Sequence, residues 1–183
     1  MALADRAEEL GMRYLALTDH GTMFGVMDFL AACKETVYGQ WQRVPRKNPI
    51  HPIIGCEVYV TPNSRHKKEW PRSELSHLIL LASGRQGYHN LIKLCSFAYT
   101  EGFYYQPRVD DELLAQYHEG LIALSGCVYG EIPRLIMDGK PAMAEQRACY
   151  YRDLFGENNF YLEIQDQGMP AETLNGVLSQ EVK

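Results

Sequence analysis

The stretch Tyr14-Leu15-Ala16-Leu17-Thr18-Asp19-His20-Gly21 constrains the fold more than any other. An apolar run ends in Asp-His-Gly, and a helix-like pattern follows. That is how a parallel strand delivers a carboxylate and an imidazole to the mouth of an α/β barrel. Asp and neutral His are also ligands for Zn²⁺ and similar cations. One such tip is a weak signal, because Asp or His after a strand often only caps the next helix. Its weight grows because three more strand-like runs carry a residue of ligand type: Glu57, His77 and Cys127.

The alternation continues along the chain. Ala2 to Met12 reads as a helix, with Leu3, Ala7 and Leu10 at helical spacing and Gly11 as a stop. Tyr14 to Thr18 reads as a strand and Met23 to Val37 as a second helix. Gly39 to His51 is polar with two prolines and reads as a loop. Strands are expected at Pro52–Val60 and Ser76–Ala82, with a polar loop between them, and a helix at Gln86–Tyr99. Asp110 suits the N-cap of a short helix. A strand at Leu121–Ser125 precedes helices at Glu131–Met137 and Ala142–Phe155. A strand at Phe160–Gln165 and a helix opened by Pro170 close the series. This order favours an α/β fold with a largely parallel sheet. The chain starts on a helix and stops inside one, so it reads as an excerpt of a longer protein, one domain within residues 1–183.

Composition sets limits. No apolar run approaches the roughly 20 residues of a membrane helix. Five scattered cysteines (Cys33, Cys56, Cys95, Cys127, Cys149) form no C-x-x-C pair, which argues against a disulfide framework and suits a reducing cytosol. A net charge of −5 is unlike a domain that grips a nucleic-acid backbone. Seven of the 18 Lys and Arg nevertheless fall between Gln40 and Arg72. They read either as two solvated loops or as a phosphate-facing patch.

Each candidate has a bland alternative. Glu57 sits inside the hydrophobic strand Ile53–Val60, where a buried carboxylate must be paired, hydrogen-bonded or metal-bound. It could equally be a structural acid. His77 opens its strand, which is the wrong end for a site in an all-parallel barrel. The difficulty vanishes if Cys56–Val60 and His77–Leu81 pair antiparallel, so that Glu57 and His77 approach one site. Cys127 suits a soft ligand, a nucleophile or a small buried hydrophobe. His51, His66, His89 and His118 read as surface residues. Phe103-Tyr104-Tyr105 could stack on bases, but a wedge packing the loop against the barrel is favoured.

Taken in order, the segments Leu17–Gly25, Pro52–Val60, His77–Ala82, Gly87–Leu94, Tyr99–Arg108, Gly120–Cys127, Gly130–Arg134 and Phe160–Asp166 resemble one family. It is the PHP (polymerase and histidinol phosphatase) domain, in the branch that opens bacterial replicative DNA polymerases. The resemblance implies a distorted (β/α)₇ barrel holding a three-metal cluster, of which this chain would be a partial copy. It carries metal-ligand roles over to His20, Glu57, His77 and Cys127. Asp19, His20 and Glu57 become the catalytic candidates, with Asp19 orienting His20 from behind. The implied chemistry is phosphoester hydrolysis with Zn²⁺ or Mn²⁺, of the 3′→5′ exonuclease proofreading type. The alternative within the family is an inactive barrel that steadies the polymerase and docks a separate proofreading exonuclease. A stand-alone small-molecule phosphatase is a third reading.

Two family segments are absent, an opening His-x-His strand and a closing Asn-Asp-x-His segment. The cluster is therefore expected to be incomplete and the excerpt inactive alone. Gln167 stands where many relatives carry His, and the insert around Gln40–Asn48 lengthens a usually short loop. The catalytic aspartates of a polymerase, with their Mg²⁺, would lie elsewhere in the parent alpha chain. The implied partners are the rest of that chain, DNA, a proofreading exonuclease subunit, a sliding clamp and its loader, in the cytoplasm. A barrel short of two strands is expected to be poorly stable. A sharp, cooperative, high-temperature melt of the isolated chain would contradict that.

Overall fold

The computed structural model describes residues 2–38, 42–68 and 74–165. Six helices are present among them: α1 (Ala2–Glu9), α2 (Val26–Lys34), α3 (Arg85–Thr100), α4 (Asp111–Tyr117), α5 (Glu131–Met137) and α6 (Pro141–Phe155). The strands are β1 (Tyr14–His20), β2 (Glu35–Tyr38), β3 (Gln42–Pro45), β4 (His51–Val60), β5 (Ser76–Ala82), β6 (Arg108–Val109), β7 (Leu121–Leu124) and β8 (Phe160–Tyr161). The expected helix at Pro170 and the Gln167 position lie outside the described residues.

The main sheet runs β1-β4-β5-β7-β8, and β6 pairs with the far end of β4. β1 and β6 are both parallel to β4. β5 is antiparallel to β4 and to β7, and β7 is parallel to β8. The sheet is therefore mixed but parallel-rich, as expected, with β5 its one reversed strand. A parallel return from β4 to β5 would need a crossover, usually helical. The described residues between them hold no α-helix. The sheet is also open. Among the described residues β1 and β8 are its unpaired edges, so the expected barrel is not closed by them.

Alternation along the strands builds two faces. Cys56, Val58 and Val60 of β4, Leu78 and Leu80 of β5, and Leu121 and Ala123 of β7 are buried against the helices. They meet Leu91, Leu94 and Ala98 of α3, Leu113 and Leu114 of α4, and Tyr151 and Phe155 of α6. Burial of each large apolar side chain contributes about 1.5–3 kcal/mol. A smaller cluster joins Ala4 and Ala7 of α1 to Phe29, Ala32 and Cys33 of α2, with Leu15 and Leu17 of β1 packed against it. The other face, with Ala16, Thr18, Ile79, Leu81 and Leu124, lines a hollow of about 330 Å³.

Most helices fall where the pattern puts them. Asp110 caps α4, its carboxylate accepting the Leu113 N–H at 3.0 Å. The second helix is shorter than expected. It stops at Lys34, and the chain turns into the antiparallel pair β2–β3. Thr36 and Val37 are β-branched and suit a strand better than a last helical turn. Part of the expected loop at 39–51 is thus a strand. The expected strand to Gln165 pairs only at Phe160–Tyr161.

The reading of the basic residues as a phosphate-facing patch fails at its two buried arginines. Arg46 has a fully buried side chain that donates to Ala32 O, Glu8 and Asp5 at 2.6, 2.8 and 2.7 Å. Arg65 donates to Glu101 and Asp110 at 2.8 and 3.0 Å. Their guanidinium charge is taken up by the chain's own carboxylates, which tie α1 to the β2–β3 hairpin and the loop after β4 to the start of α4. The Arg46 hydrogen bond holds Asp5 below the usual carboxylate range; Asn48 N–H, then Arg46, do the same for Glu8.

Arg46→Met should lower stability by about 2 kcal/mol, because it leaves two carboxylates and a buried carbonyl without their donor. Asp5 and Glu8 have lowered folded values, so their contribution is present above the unfolded carboxylate range and is lost as pH falls through the folded values. Urea melts should therefore separate wild type from variant at neutral pH, and the gap should narrow as pH is lowered below the usual carboxylate range.

Candidate metal centre

The site is assembled by register. β1 and β4 run parallel, and His20 lies directly opposite Glu57. Side-by-side residues in a sheet share a face, so both point away from the helices. The Gly21 N–H carries the ladder one step further, donating to Glu57 O at 2.8 Å. β5 then returns antiparallel, with His77 opposite Tyr59 and Ile79 opposite Glu57. His77 is thus a diagonal neighbour of Glu57 on the same face. The antiparallel pairing required to bring these two together is present.

Cys127 arrives by a turn. β7 ends at Leu124, and Gly126 takes φ +79°, a conformation that costs glycine little. A Cβ there would lie 3.0 Å from His77 O. The turn is locked to β5 by the His77 N–H, which donates to Tyr129 O at 3.1 Å.

Four side chains meet in a row. His20 Nδ1 lies 2.6 Å from Glu57 Oε1, and the same oxygen lies 3.3 Å from His77 Nδ1. His77 Nδ1 lies 3.7 Å from Cys127 Sγ. An ionised carboxylate only accepts, so His20 donates from Nδ1 to Glu57 in this arrangement, while His77 lies within ion-pairing distance of the same oxygen. The Glu57 side chain is 10% exposed and that of His20 is 74% exposed, so the row runs from the protein interior to the rim. The donor set suits a borderline cation: two imidazoles, a carboxylate and a thiol. As they stand the donors satisfy one another in sequence rather than around a common point. Among the described residues no group of three or more His, Cys, Asp or Glu side chains is arranged to hold a metal ion.

Asp19 does not join the row. It is adjacent to His20 on a strand, so its side chain takes the opposite face. Its carboxylate accepts the Gly25 N–H at 3.1 Å, just before α2. The position expected to orient His20 instead satisfies a free backbone donor at a helix start. Of the other histidines, His51 stacks on Tyr14, and His66 and His89 are exposed. His118 contacts Ala115 O at 2.8 Å on the far side of α4.

A hollow of about 710 Å³ opens over three members of the row, lined by His20, Glu57, His77, Tyr59, Leu75, Gln106, Tyr129 and Arg134, while Cys127 lines the 330 Å³ hollow together with Glu57. Tyr59 was legible in the sequence, because it stands two residues from Glu57 on one strand face. Gln106, Tyr129 and Arg134 come from two loops and a helix, and no spacing announced them. Arg134 is positioned by Ser76 Oγ at 2.5 Å and Glu74 O at 3.3 Å.

The PHP domain family matches residues 1–167, and the mixed α/β sheet is consistent with it. The chain belongs to the PHP domain family. More narrowly, it is similar to proteins named DNA polymerase III subunit alpha. The relative from Treponema pallidum is 47% identical over 176 residues, covering 93% of this chain and 14% of the relative. Those from Deinococcus radiodurans and Thermus aquaticus are 42% and 41% identical, covering 88% and 91% of this chain. The chain spans only 12% and 13% of the length of these two.

Asp19→Ala should cost about 1 kcal/mol of stability through the lost Gly25 contact. It should leave the metal content of the intact polypeptide unchanged. A denaturant melt paired with elemental analysis checks both, and a loss of bound metal without loss of stability would return Asp19 to the site.

Proposed function

We propose that this chain is part of the PHP domain of a replicative polymerase alpha chain, and that its rim belongs to a metal-dependent phosphoesterase of the 3′→5′ exonuclease type. One observation carries this reading: four donors of metal-ligating type, spread from residue 20 to residue 127, meet in an unbroken row, three of them lining one hollow and Cys127 lining a second that shares Glu57. His20, Glu57, His77 and Cys127 are the residues that would hold Zn²⁺ or Mn²⁺. A divalent ion there supplies an activated water at neutral pH and neutralises charge on the phosphate.

The protein's own groups do the rest. Glu57, almost shielded from solvent, meets both imidazole rings through one oxygen, Oε1. Arg134 offers a guanidinium to a phosphate oxygen entering the hollow. Tyr59 and Tyr129 flank His77 at 5.2 and 5.5 Å between ring centroids and limit water around it. Family segments outside this chain would complete the cluster. In this reading the parent copies DNA with Mg²⁺ at a separate centre and works with a sliding clamp and its loader in the cytoplasm. No helix among the described residues is long and apolar enough to cross a membrane.

A second reading has an observation of its own. The donors are mutually satisfied, and no three of the described residues form a metal cage. That state suits a barrel kept for structure, steadying the polymerase and docking a separate proofreading exonuclease.

Substitution in the intact parent separates the two. Glu57→Gln and His20→Ala should each weaken metal binding by about 10- to 100-fold or more and reduce hydrolysis of a 3′ end, with polymerisation retained. Elemental analysis and a nuclease assay read the outcome. Nuclease activity that survives both substitutions rejects the site assignment, and a metal-free intact parent selects the structural reading.

A further inference from the structure

Two aromatic residues near the rim keep most of their surface exposed. Tyr129 packs one side on His77, yet keeps 61% of its surface exposed. Tyr105 is 74% exposed, and among the described residues it is the one non-glycine with positive φ, at 60°. That is the left-handed region, costly for a residue with a Cβ.

The loop that carries Tyr105 is held from both ends. The fully buried Arg108 donates from Nε to Gly102 O at 2.7 Å, and its guanidinium lies 5.4 Å from the Tyr104 ring centroid. Pro107 presses on Gly21, where an added Cβ would come within 2.7 Å of it. The next residue after Tyr105, Gln106, lines the hollow above Glu57 and His77. Tyr104 is therefore the wedge that packs the loop down. Tyr105 meets the Tyr104 ring edge-on, with centroids 4.6 Å apart, but leaves most of its own surface to solvent.

We propose that Tyr105 and Tyr129 are positioning residues on which the unpaired bases of a single-stranded DNA end stack, while Arg134 meets a backbone phosphate. The inference rests on the phosphoesterase reading of the rim and names how its substrate is held. The hollow is of a size that admits one nucleotide unit. Tyr105 stands beside it rather than in its lining, so a ligand touching both rings leaves the hollow and continues along the surface. That describes a strand, not a small metabolite. Aromatic faces hold bases of any sequence, which suits removal of whatever nucleotide ends the strand. The segment Gly102–Pro107 bears no carboxylate to repel a phosphate backbone.

The test uses the intact parent polypeptide, with any polymerase cleft saturated by unlabelled primed template. The probe is an oligothymidylate ending in 2-aminopurine, whose fluorescence falls on stacking, with EDTA present so that cleavage is silent. Wild type should quench the probe. Tyr129→Leu and Tyr105→Gly should each weaken its binding by about tenfold. Tyr129→Phe should restore the wild-type quench. Tyr105→Gly should melt no lower than wild type, because glycine accepts the backbone that tyrosine strains against. An absent quench, an affinity unchanged in both variants, or a Phe variant as weak as Leu overturns the proposal. An unchanged affinity is also the outcome if the rings serve a protein contact. Hydrolysis of methyl p-nitrophenyl phosphate by metal-loaded wild type is measured alongside. With that hydrolysis intact and no quench, the base-stacking inference falls alone. With a quench and no hydrolysis, the base site stands and the phosphoesterase reading falls.

Discussion

The antiparallel pairing of β5 against β4 is the constraint on which the rest of the site depends. In an all-parallel arrangement the start of β5 would lie at the opposite end of the sheet from the end of β4. His77 would then be some five residues, or about 17 Å, from Glu57. Reversal brings the first residues of β5 alongside the last of β4, with Val60 opposite Ser76 and Tyr59 opposite His77. It also lets β7, antiparallel to β5 in turn, run in the same sense as β4 and deliver Cys127 to the same rim. One reversed strand thus converts three separate chain ends into one corner.

Buried arginines do for the periphery what that pairing does for the centre. Arg46 ties α1 to the hairpin, and Arg65 ties the loop after β4 to Asp110, itself the cap of α4. Arg108 is fully buried and donates to two backbone carbonyls, Gly102 O and Arg65 O. Its Nη1 has no hydrogen-bond partner among the described residues, and burial pushes its pKa down. The nearby Tyr104 ring offers a π face in place of an acceptor. These contacts fix connecting segments that carry few apolar residues.

The sequence showed the elements whose physics is local. Period-two and helical patterns located β1, β4, β5, α3 and α6, and the Asp110 cap followed from residue type alone. Four ligand-type residues at strand tips marked the corner, because a polar group in an apolar strand demands a partner. The hairpin β2–β3 was hidden because Glu35-Thr36-Val37 continues a helical pattern and reveals its strand character only through pairing. Arg46 and Arg65 looked like loop charges, since nothing along the chain shows which distant carboxylates neutralise them. Asp19 shows the limit most clearly. It sits in the motif, one residue from a candidate ligand, yet strand alternation turns it to the opposite face and a helix start claims it.

The row His20–Glu57–His77–Cys127 is self-sufficient, and that shapes what a cation could do there. An ionised carboxylate nine-tenths buried costs several kcal/mol unless hydrogen-bonded, and the His20 contact meets that need, with His77 close by at 3.3 Å. Both imidazoles meet Glu57 through Nδ1. A neutral ring that donates from Nδ1 keeps the Nε2 lone pair for a cation, whereas the thiol would have to lose its proton. Cation uptake at this corner therefore need not displace the Nδ1 contacts to Glu57. That explains how one set of side chains is compatible both with a loaded phosphoesterase and with a purely structural rim. What decides between them is the further ligands that close the coordination shell.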